Sequence, residues 1–410
     1  MKLLWINFYL AYRNFIRQKH RSTFPIITIS TGVAALILAN GFINWILLDF
    51  RESTIKSQLG HLQIVYPKYH ELGKSDPYNF LLPNIIPIEL KIAKDLQQIK
   101  SITPRISFNG LISFNELTLS FIGDGISLEE LTTFGDFPPI TAGTNLSIDD
   151  PFGIIIGEGL ARNLGVNIGD QVILVANTVS QGINAIEVTI RGLFSTVTKS
   201  YDDVALRLPI ETTRKLLRTK GSHLWVILLN DTTQTDLVLT NLLKIPTLEK
   251  FEILPWYRLA DFYNKTVNLF TRQMQGIWII IALIILLSIF NSMTRNVRER
   301  VSEIGTAMAL GIKRKNIMSQ FLFEGLILGC IGSFIGIILG LFLAKIISSI
   351  GISMPPPPGT THGYTAEIYV TKNIVFESIL LAIGTALVAS IYPAWKASHM
   401  LIVDALRHNR

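Results

Sequence analysis

The residues that could do chemistry are few, and their spacing does not assemble a reaction centre. Seven histidines (His20, His61, His70, His223, His362, His399 and His408) are scattered, and none lies within four residues of another. That is not the spacing of a metal-binding cluster, and no H-E-x-x-H pair occurs. The acidic pairs Glu129/Glu130, Asp149/Asp150 and Asp202/Asp203 are adjacent in sequence, so on a helix or strand their side chains diverge; they read as solvated turns. There is no G-x-x-x-x-G-K-[ST] phosphate cradle and no G-x-S-x-G nucleophile elbow. The chain therefore reads as non-catalytic, with no metal and no cofactor of its own.

Composition says where to look instead. Of 410 residues, 49% are hydrophobic and only 16% charged, with a net charge of +7. Soluble domains carry about 25% charged residues. Disorder is excluded by the high hydrophobicity, and a disulfide scaffold by the single cysteine, Cys330. The deficit concentrates in four uncharged runs, 22–48, 273–294, 325–344 and 378–395. About 20 helical residues cross a hydrocarbon layer of roughly 30 Å, so these are predicted transmembrane helices, with bounds 22–48, 273–294, 317–350 and 373–395. The first run is too long for a signal peptide and reads as a retained anchor.

Charge supplies the orientation. Lys2, Arg13, Arg17, Lys19 and Arg21 make residues 1–21 a basic segment without an acid. The 295–316 loop and the 396–410 tail are also net basic, while residues 49–272 hold 21 basic and 24 acidic residues. The positive-inside rule puts both termini and the 295–316 loop in the cytoplasm, and 49–272 and 351–372 on the other side. Basic segments beside membrane spans, without interleaved aromatics on a soluble module, argue against nucleic acid as a partner.

The 49–272 region reads as α/β. Short β-branched runs predict strands at His61–Tyr66, Phe152–Ile156, Gln171–Ala176, Ile186–Gly192 and Leu224–Leu229. Helical spacing predicts helices at Pro87–Lys100, Glu158–Leu164 and Glu211–Leu217. The fold class is thus a membrane protein with four transmembrane α-helices in a 1 + 3 arrangement and a large α/β extracytoplasmic domain inserted between helices 1 and 2. In the third span, Gly325, Gly329, Gly332, Gly336 and Gly340 recur three and four residues apart, which lets another helix approach closely, either within the chain or across a dimer. Pro355–Pro358 favour a stiff, extended connector in the 351–372 loop. Residues 1–20 alternate apolar and basic positions and suit a helix lying on the inner membrane surface.

Five segments, in order, resemble one family. Asn296–Gly311 (NVRERVSEIGTAMALG) is similar to the E-R-x-x-E-I-G-x-x-x-A-x-G signature of the FtsX/MacB/LolC–LolE superfamily of ABC transporter permeases. Phe323–Gly329 and Tyr392–Arg407 resemble its next helix and its ending, with Ile402 where the family often has Pro. Gly157–Asp170 and Ile186–Phe194 resemble elements of its outer domain. The resemblance implies a permease driven by a separate cytoplasmic ATPase dimer, which binds ATP and Mg. It implies a coupling loop whose matching residues are Glu299, Arg300, Glu303, Ile304, Gly305, Ala309 and Gly311. On one short helix, Glu299 and Glu303 would offer charge to the ATPase, and Gly305 and Gly311 would end or bend that helix.

The same resemblance implies a second permease subunit, identical or different, and mechanotransmission, in which closure of the ATPase moves the spans and they move the outer domain. Gly60–Ile64 resembles the lipoprotein-releasing branch, whose members hold lipid tails between spans 1 and 2. Ile37, Phe42, Ile43, Leu47, Phe270, Ile277 and Ile280 are then the groove candidates. Location would be the bacterial inner membrane, with membrane lipids and a periplasmic carrier or envelope protein as further partners. The stretch Asn177–Ala185 is short where LolC extends a carrier-binding hook, so LolE-like roles stay open. So do MacB-like export of peptides or amphiphiles and an FtsX-like signalling role, the last disfavoured by the size of the 49–272 domain.

Overall fold

The computed structural model describes residues 9–11, 13, 17, 19–73, 77–83, 98–127, 129–130, 133, 138–196, 198–354 and 364–401. They divide into two compact units: a helical one of residues 1–47, 267–353 and 365–410, and a β-rich one of residues 48–266 and 354–364.

Four long helices carry the apolar runs: α1 (Lys19–Thr54), α5 (Asp261–Glu299), α7 (Arg314–Ile350) and α8 (Lys372–Ser398). Each is long and apolar enough to cross a membrane. The chain is a four-span membrane protein with its α/β domain inserted between the first and second spans. All four helices outrun the uncharged runs that signalled them; α5 starts twelve residues before Gln273. α5 shows much of its apolar surface to the outside, with Ile279 and Ile280 at 69% and 60% exposed. In water that would be costly; in hydrocarbon it is the expected surface.

The α7 glycines meet two different neighbours. A Cβ on Gly329 would lie 2.9 Å from Ala386, and one on Gly325 would strike Ser390, so the first two glycines of the stripe face α8. A Cβ on Gly332 would lie 2.6 Å from Ile29, on Gly336 2.7 Å from the Ser30 carbonyl oxygen and on Gly340 3.2 Å from Ile37, so the other three face α1. Ser30 Oγ donates to the Gly332 carbonyl at 2.9 Å, a bond that such close backbone approach permits. All five contacts are within the chain.

In the β-rich unit the strands are β1 (Leu62–Val65), β2 (Ile99–Phe114), β3 (Leu117–Ile126), β4 (Ile140–Gly143), β5 (Gly153–Gly157), β6 (Gln171–Asn177), β7 (Ile183–Phe194), β8 (Ala205–Pro209), β9 (Leu224–Leu229) and β10 (Glu252–Pro255). Helices α2 (Glu158–Leu164), α3 (Ile210–Leu217) and α4 (Thr235–Leu242) accompany them. Their pairings close a ring, β2–β3–β8–β5–β7–β6 and back to β2, in which β3–β8 and β5–β7 are parallel. β2 belongs to two layers. Arg105–Phe114 pairs with β3 along one edge, while the other edge pairs first with β9 (Ile99–Arg105) and then with β6 (Gly110–Ser113). Inside the ring pack Ile106, Phe121, Ile156, Leu174, Ile190 and Leu206, sealed by Leu160 of α2 and Leu216 of α3. A second core, around Trp225, Ile64 and Phe251, lies against the β10–β1–β9–β2 layer.

Several expectations change. The Pro87–Lys100 helix falls mostly on residues 84–97, outside the described ones, and its end is not helical: Ile99 and Lys100 open β2. Two of the acidic pairs are not simply solvated. Glu130 and Asp202 are buried. Asp202 accepts from Thr196 N at 2.9 Å and Thr196 Oγ1 at 2.7 Å, bonds that satisfy its carboxylate, although burial still pushes its pKa up. The Asn177–Ala185 stretch reduces to a turn over 178–182, because Ile183–Ala185 already belong to β7. Pro355–Pro358, most of residues 1–18 and residues 402–410 lie outside the described residues.

Candidate functional site

The segment between α5 and α7 is where the sequence puts the coupling residues. It is not one helix. α5 ends at Glu299, Arg300 leaves helical geometry (φ −108°, ψ 15°), and a separate helix α6 spans Val301–Ala309. Glu299 and Glu303 therefore do not share a helix face, which corrects the expectation. Glu299 closes α5 against Arg295 at 3.1 Å, whereas Glu303 sits in the first turn of α6, where a carboxylate suits the helix dipole. Gly305 does not end α6; it is buried mid-helix, beside the buried Ile304. α6 stops after Ala309, and the chain turns back at Gly311, whose φ of +89° is a conformation that side chains disfavour.

The break at Arg300 has a use. Its guanidinium turns inward and forms an ion pair with Glu324 of α7 at 2.8 Å, with both side chains under 10% exposed. Glu324 also accepts from Asn296 Nδ2 of α5, and Arg300 lies over the Phe321 ring. On its other side Arg300 holds Glu303 at 3.0 Å, and Glu303 in turn takes Arg17 at 2.9 Å. Burial alone would raise the Glu303 pKa, but the bonds from Arg300 and Arg17 outweigh it and hold the carboxyl below the usual Glu range. Beneath this chain, Ile304 and Met308 pack on Val297, Ile317 and Phe321. Above it, the turn presents a different surface: Leu310 is 82% exposed, and Ile312, Lys313, Arg314 and Lys315 are exposed too. An apolar knob beside three cations, backed by a buried ion pair, is a surface suited to an acidic protein partner.

Glu324 is the buried partner of Arg300 that sequence reasoning passed over. The signal was there: 317–350 contains only one acid, and a lone carboxylate in a span asks for a partner.

The second feature is a groove of about 880 Å³ in the helical unit, between α1, α5 and α8. Its walls include Ile43 and Leu47, Phe270, Met274, Trp278 and Ile279, and Ile374 and Leu381. The α8 wall is seated by backbone: Tyr369 N donates to the Gly41 carbonyl at 3.1 Å, and a Cβ on Gly41 would come within 2.6 Å of Ile368. Thr371 then caps α8, accepting from Ile374 N. Of the sequence candidates, Ile43, Leu47 and Phe270 line this groove. Ile37 does not; it is fully buried against Gly340, because α7 comes too close there to leave an opening. Phe42, Ile277 and Ile280 also lie off the groove, Ile280 on the outward face of α5. Among the groove contributors that sequence spacing did not mark are Trp278 and the polar Asn40, Asn44, Thr271, Gln275 and Glu377. Among the described residues, no cluster of three or more potential metal ligands occurs.

Four spans, an α/β domain after the first of them and a surface turn between the second and third define an integral membrane protein of 1 + 3 topology. Comparison with known proteins gives the family. Residues 22–245 match the MacB-like periplasmic core domain, and residues 276–402 match the FtsX-like permease C-terminal domain. The chain belongs to the FtsX/MacB/LolC superfamily of ABC transporter permeases. It is 31% identical over 164 residues to the macrolide export ATP-binding/permease protein MacB of Syntrophobacter fumaroxidans, a match spanning 39% of this chain and 21% of that one. It is 25% identical over 424 residues to the lipoprotein-releasing system transmembrane protein LolC of Neisseria meningitidis serogroup B, spanning 96% of this chain and 97% of LolC. The solved periplasmic region of MacB from Actinobacillus actinomycetemcomitans aligns with 51% of this chain and 93% of its own length, at 14% identity and a TM-score of 0.35.

Proposed function

We propose that this permease is the membrane half of an ATP-driven machine that withdraws or exports lipoproteins or other lipid-like substrates at the outer face of the inner membrane. The observation that carries the reading is the groove between α1, α5 and α8, whose walls are mostly apolar and which belongs to a helical unit that already exposes apolar surface. A site of this kind takes alkyl chains from a bilayer without moving them through water. Both termini and the α5–α7 turn lie in the cytoplasm in this reading, as the distribution of Lys and Arg favours.

ATP and Mg are handled by a separate ATPase dimer that docks on Leu310, Ile312 and the cations 313–315. Its movement reaches α7 through Glu303, Arg300 and Glu324, and the α/β domain moves in response. A second permease subunit completes the assembly, and a periplasmic carrier or envelope protein receives the substrate. The test is mass spectrometry of the complex purified from its native membrane. A co-purifying ATPase and lipidated substrate are expected; retention of lipoproteins on the inner membrane after depletion is the cellular counterpart. A complex without lipidated cargo, together with normal lipoprotein sorting, would overturn the reading in favour of MacB-like export.

A further inference from the structure

The groove is not uniformly apolar, and its one formal charge is negative. Of its fourteen lining residues, Glu377 at the start of α8 is the one ionisable side chain, and no Lys, Arg or His lines the walls. Asn40 and Asn44 face the same space from α1. Each amide nitrogen spends one of its two N–H groups: Asn40 Nδ2 donates to the Leu36 carbonyl at 2.9 Å, and Asn44 Nδ2 to the Tyr369 carbonyl at 3.3 Å. Each asparagine keeps its carbonyl oxygen, an acceptor, and one N–H. Thr271, Gln275 and Trp278 add polar atoms of both kinds, so what distinguishes the groove is a single negative charge with no cation in its walls.

From this arrangement we infer that the groove selects amphiphiles bearing a protonated amine next to their alkyl portion. The inference deepens the proposed function and rests on the groove being the substrate site. An ammonium N–H finds acceptors at Glu377, Asn40 and Asn44, and its charge is drawn to the carboxylate in surroundings of low dielectric. A fatty acid or phosphate monoester would set its anion against Glu377, with no cation in the walls to answer it. Selection therefore works by repulsion as well as attraction. Glu377 is the specificity-determining residue, and the apolar walls supply affinity without discriminating between heads.

Trp278 reports the test. The full chain is placed in phosphatidylcholine nanodiscs, whose trimethylated head has no N–H to donate. It is titrated with nitroxide-labelled stearylamine and, separately, with the matching stearyl alcohol. The difference in fluorescence quenching between the native chain and Trp278→Phe isolates the groove. The amine is expected to half-saturate at a mole fraction at least tenfold lower than the alcohol. Glu377→Gln should erase that advantage by weakening the amine; saturable quenching by the alcohol in the same variant shows that the groove is intact. Equal curves in the native chain, or an amine preference that survives Glu377→Gln, would overturn the inference while leaving the groove reading standing. Absence of Trp278 quenching by both probes would sink the groove reading itself.

Discussion

Arg105 and Arg300 are both buried guanidiniums, yet their networks are built to opposite ends. Arg105, in the β-rich unit, pairs with Glu130, each side chain only 3% exposed, and donates also to the Gln58 carbonyl; Thr103 Oγ1 completes the shell around Glu130. The network is closed. Arg300, in the helical unit, is buried on one side with Glu324 and open on the other, through Glu303 at 50% exposure to Arg17 at 66%. A closed network fixes shape, since every charge is answered inside. A graded one joins an exposed surface to the buried side of a span, the route by which the proposed ATPase would move α7.

The closed network should be the costlier to break. Arg105→Ala leaves Glu130 buried and unpaired, and removing one partner of a buried pair costs about 3–5 kcal/mol. Thermal unfolding of the purified chain should show a large loss; a change under about 1 kcal/mol would mean that the pair is not sealed. The β-rich unit also holds a buried histidine with a pH signature. His61 Nδ1 accepts from Leu229 N at 3.1 Å, and its Nε2 pairs with Thr232 Oγ1, which donates to Glu52. Burial lowers the His61 pKa from 6.5 to about 4. Between those values the unfolded chain binds a proton that the fold refuses. Stability is therefore complete above pH 6.5 and falls as pH drops through about 4, by on the order of 3 kcal/mol. His61→Gln should flatten melting temperature against pH over that interval.

The open network should behave otherwise. Glu303→Lys sets a cation beside Arg300 and Arg17, so a stability loss of about 1–2 kcal/mol is expected. Its main consequence should be loss of ATPase co-purification or of permease-stimulated hydrolysis; coupled hydrolysis at the native rate would remove this turn from the coupling path. Arg17→Ala breaks only an exposed pair, and such pairs contribute about 0–1 kcal/mol. Because the Glu303 pKa is lowered by its partners, whatever that pair contributes is present above the usual Glu range and lost as pH falls through the depressed value. High salt should mask the Arg17 effect and leave that of Arg105 nearly unchanged, measured in the same melting experiment.

The spans were legible because a run without charge is a one-dimensional signal. β9 at Leu224–Leu229 was legible for a similar reason, being short, apolar and bounded by polar residues, and α2 at Glu158–Leu164 because Leu160, Ala161 and Leu164 share one helix face. β2 and β3 were not. β2 changes neighbours midway and contains Pro104 and Gly110, so its burial follows no alternation. The buried carboxylates of Glu130, Asp202 and Glu324 were missed because their partners are distant in sequence or lie in the backbone of a turn. Arg300 was marked by its motif, but its direction was not: a helix break at that residue decides whether the guanidinium faces a partner or α7.

The glycine stripe of α7 bears on how this sequence can drift. Any single-base change that turns a glycine codon into that of another amino acid installs at least a Cβ. At Gly332 and Gly336 that atom would lie 2.6 Å from Ile29 and 2.7 Å from the Ser30 carbonyl oxygen. Neighbouring outward positions such as Phe334 and Ile338 carry no such constraint, being 65% and 56% exposed. One helix thus sets positions with no room for a side chain beside positions that face outward, two residues apart.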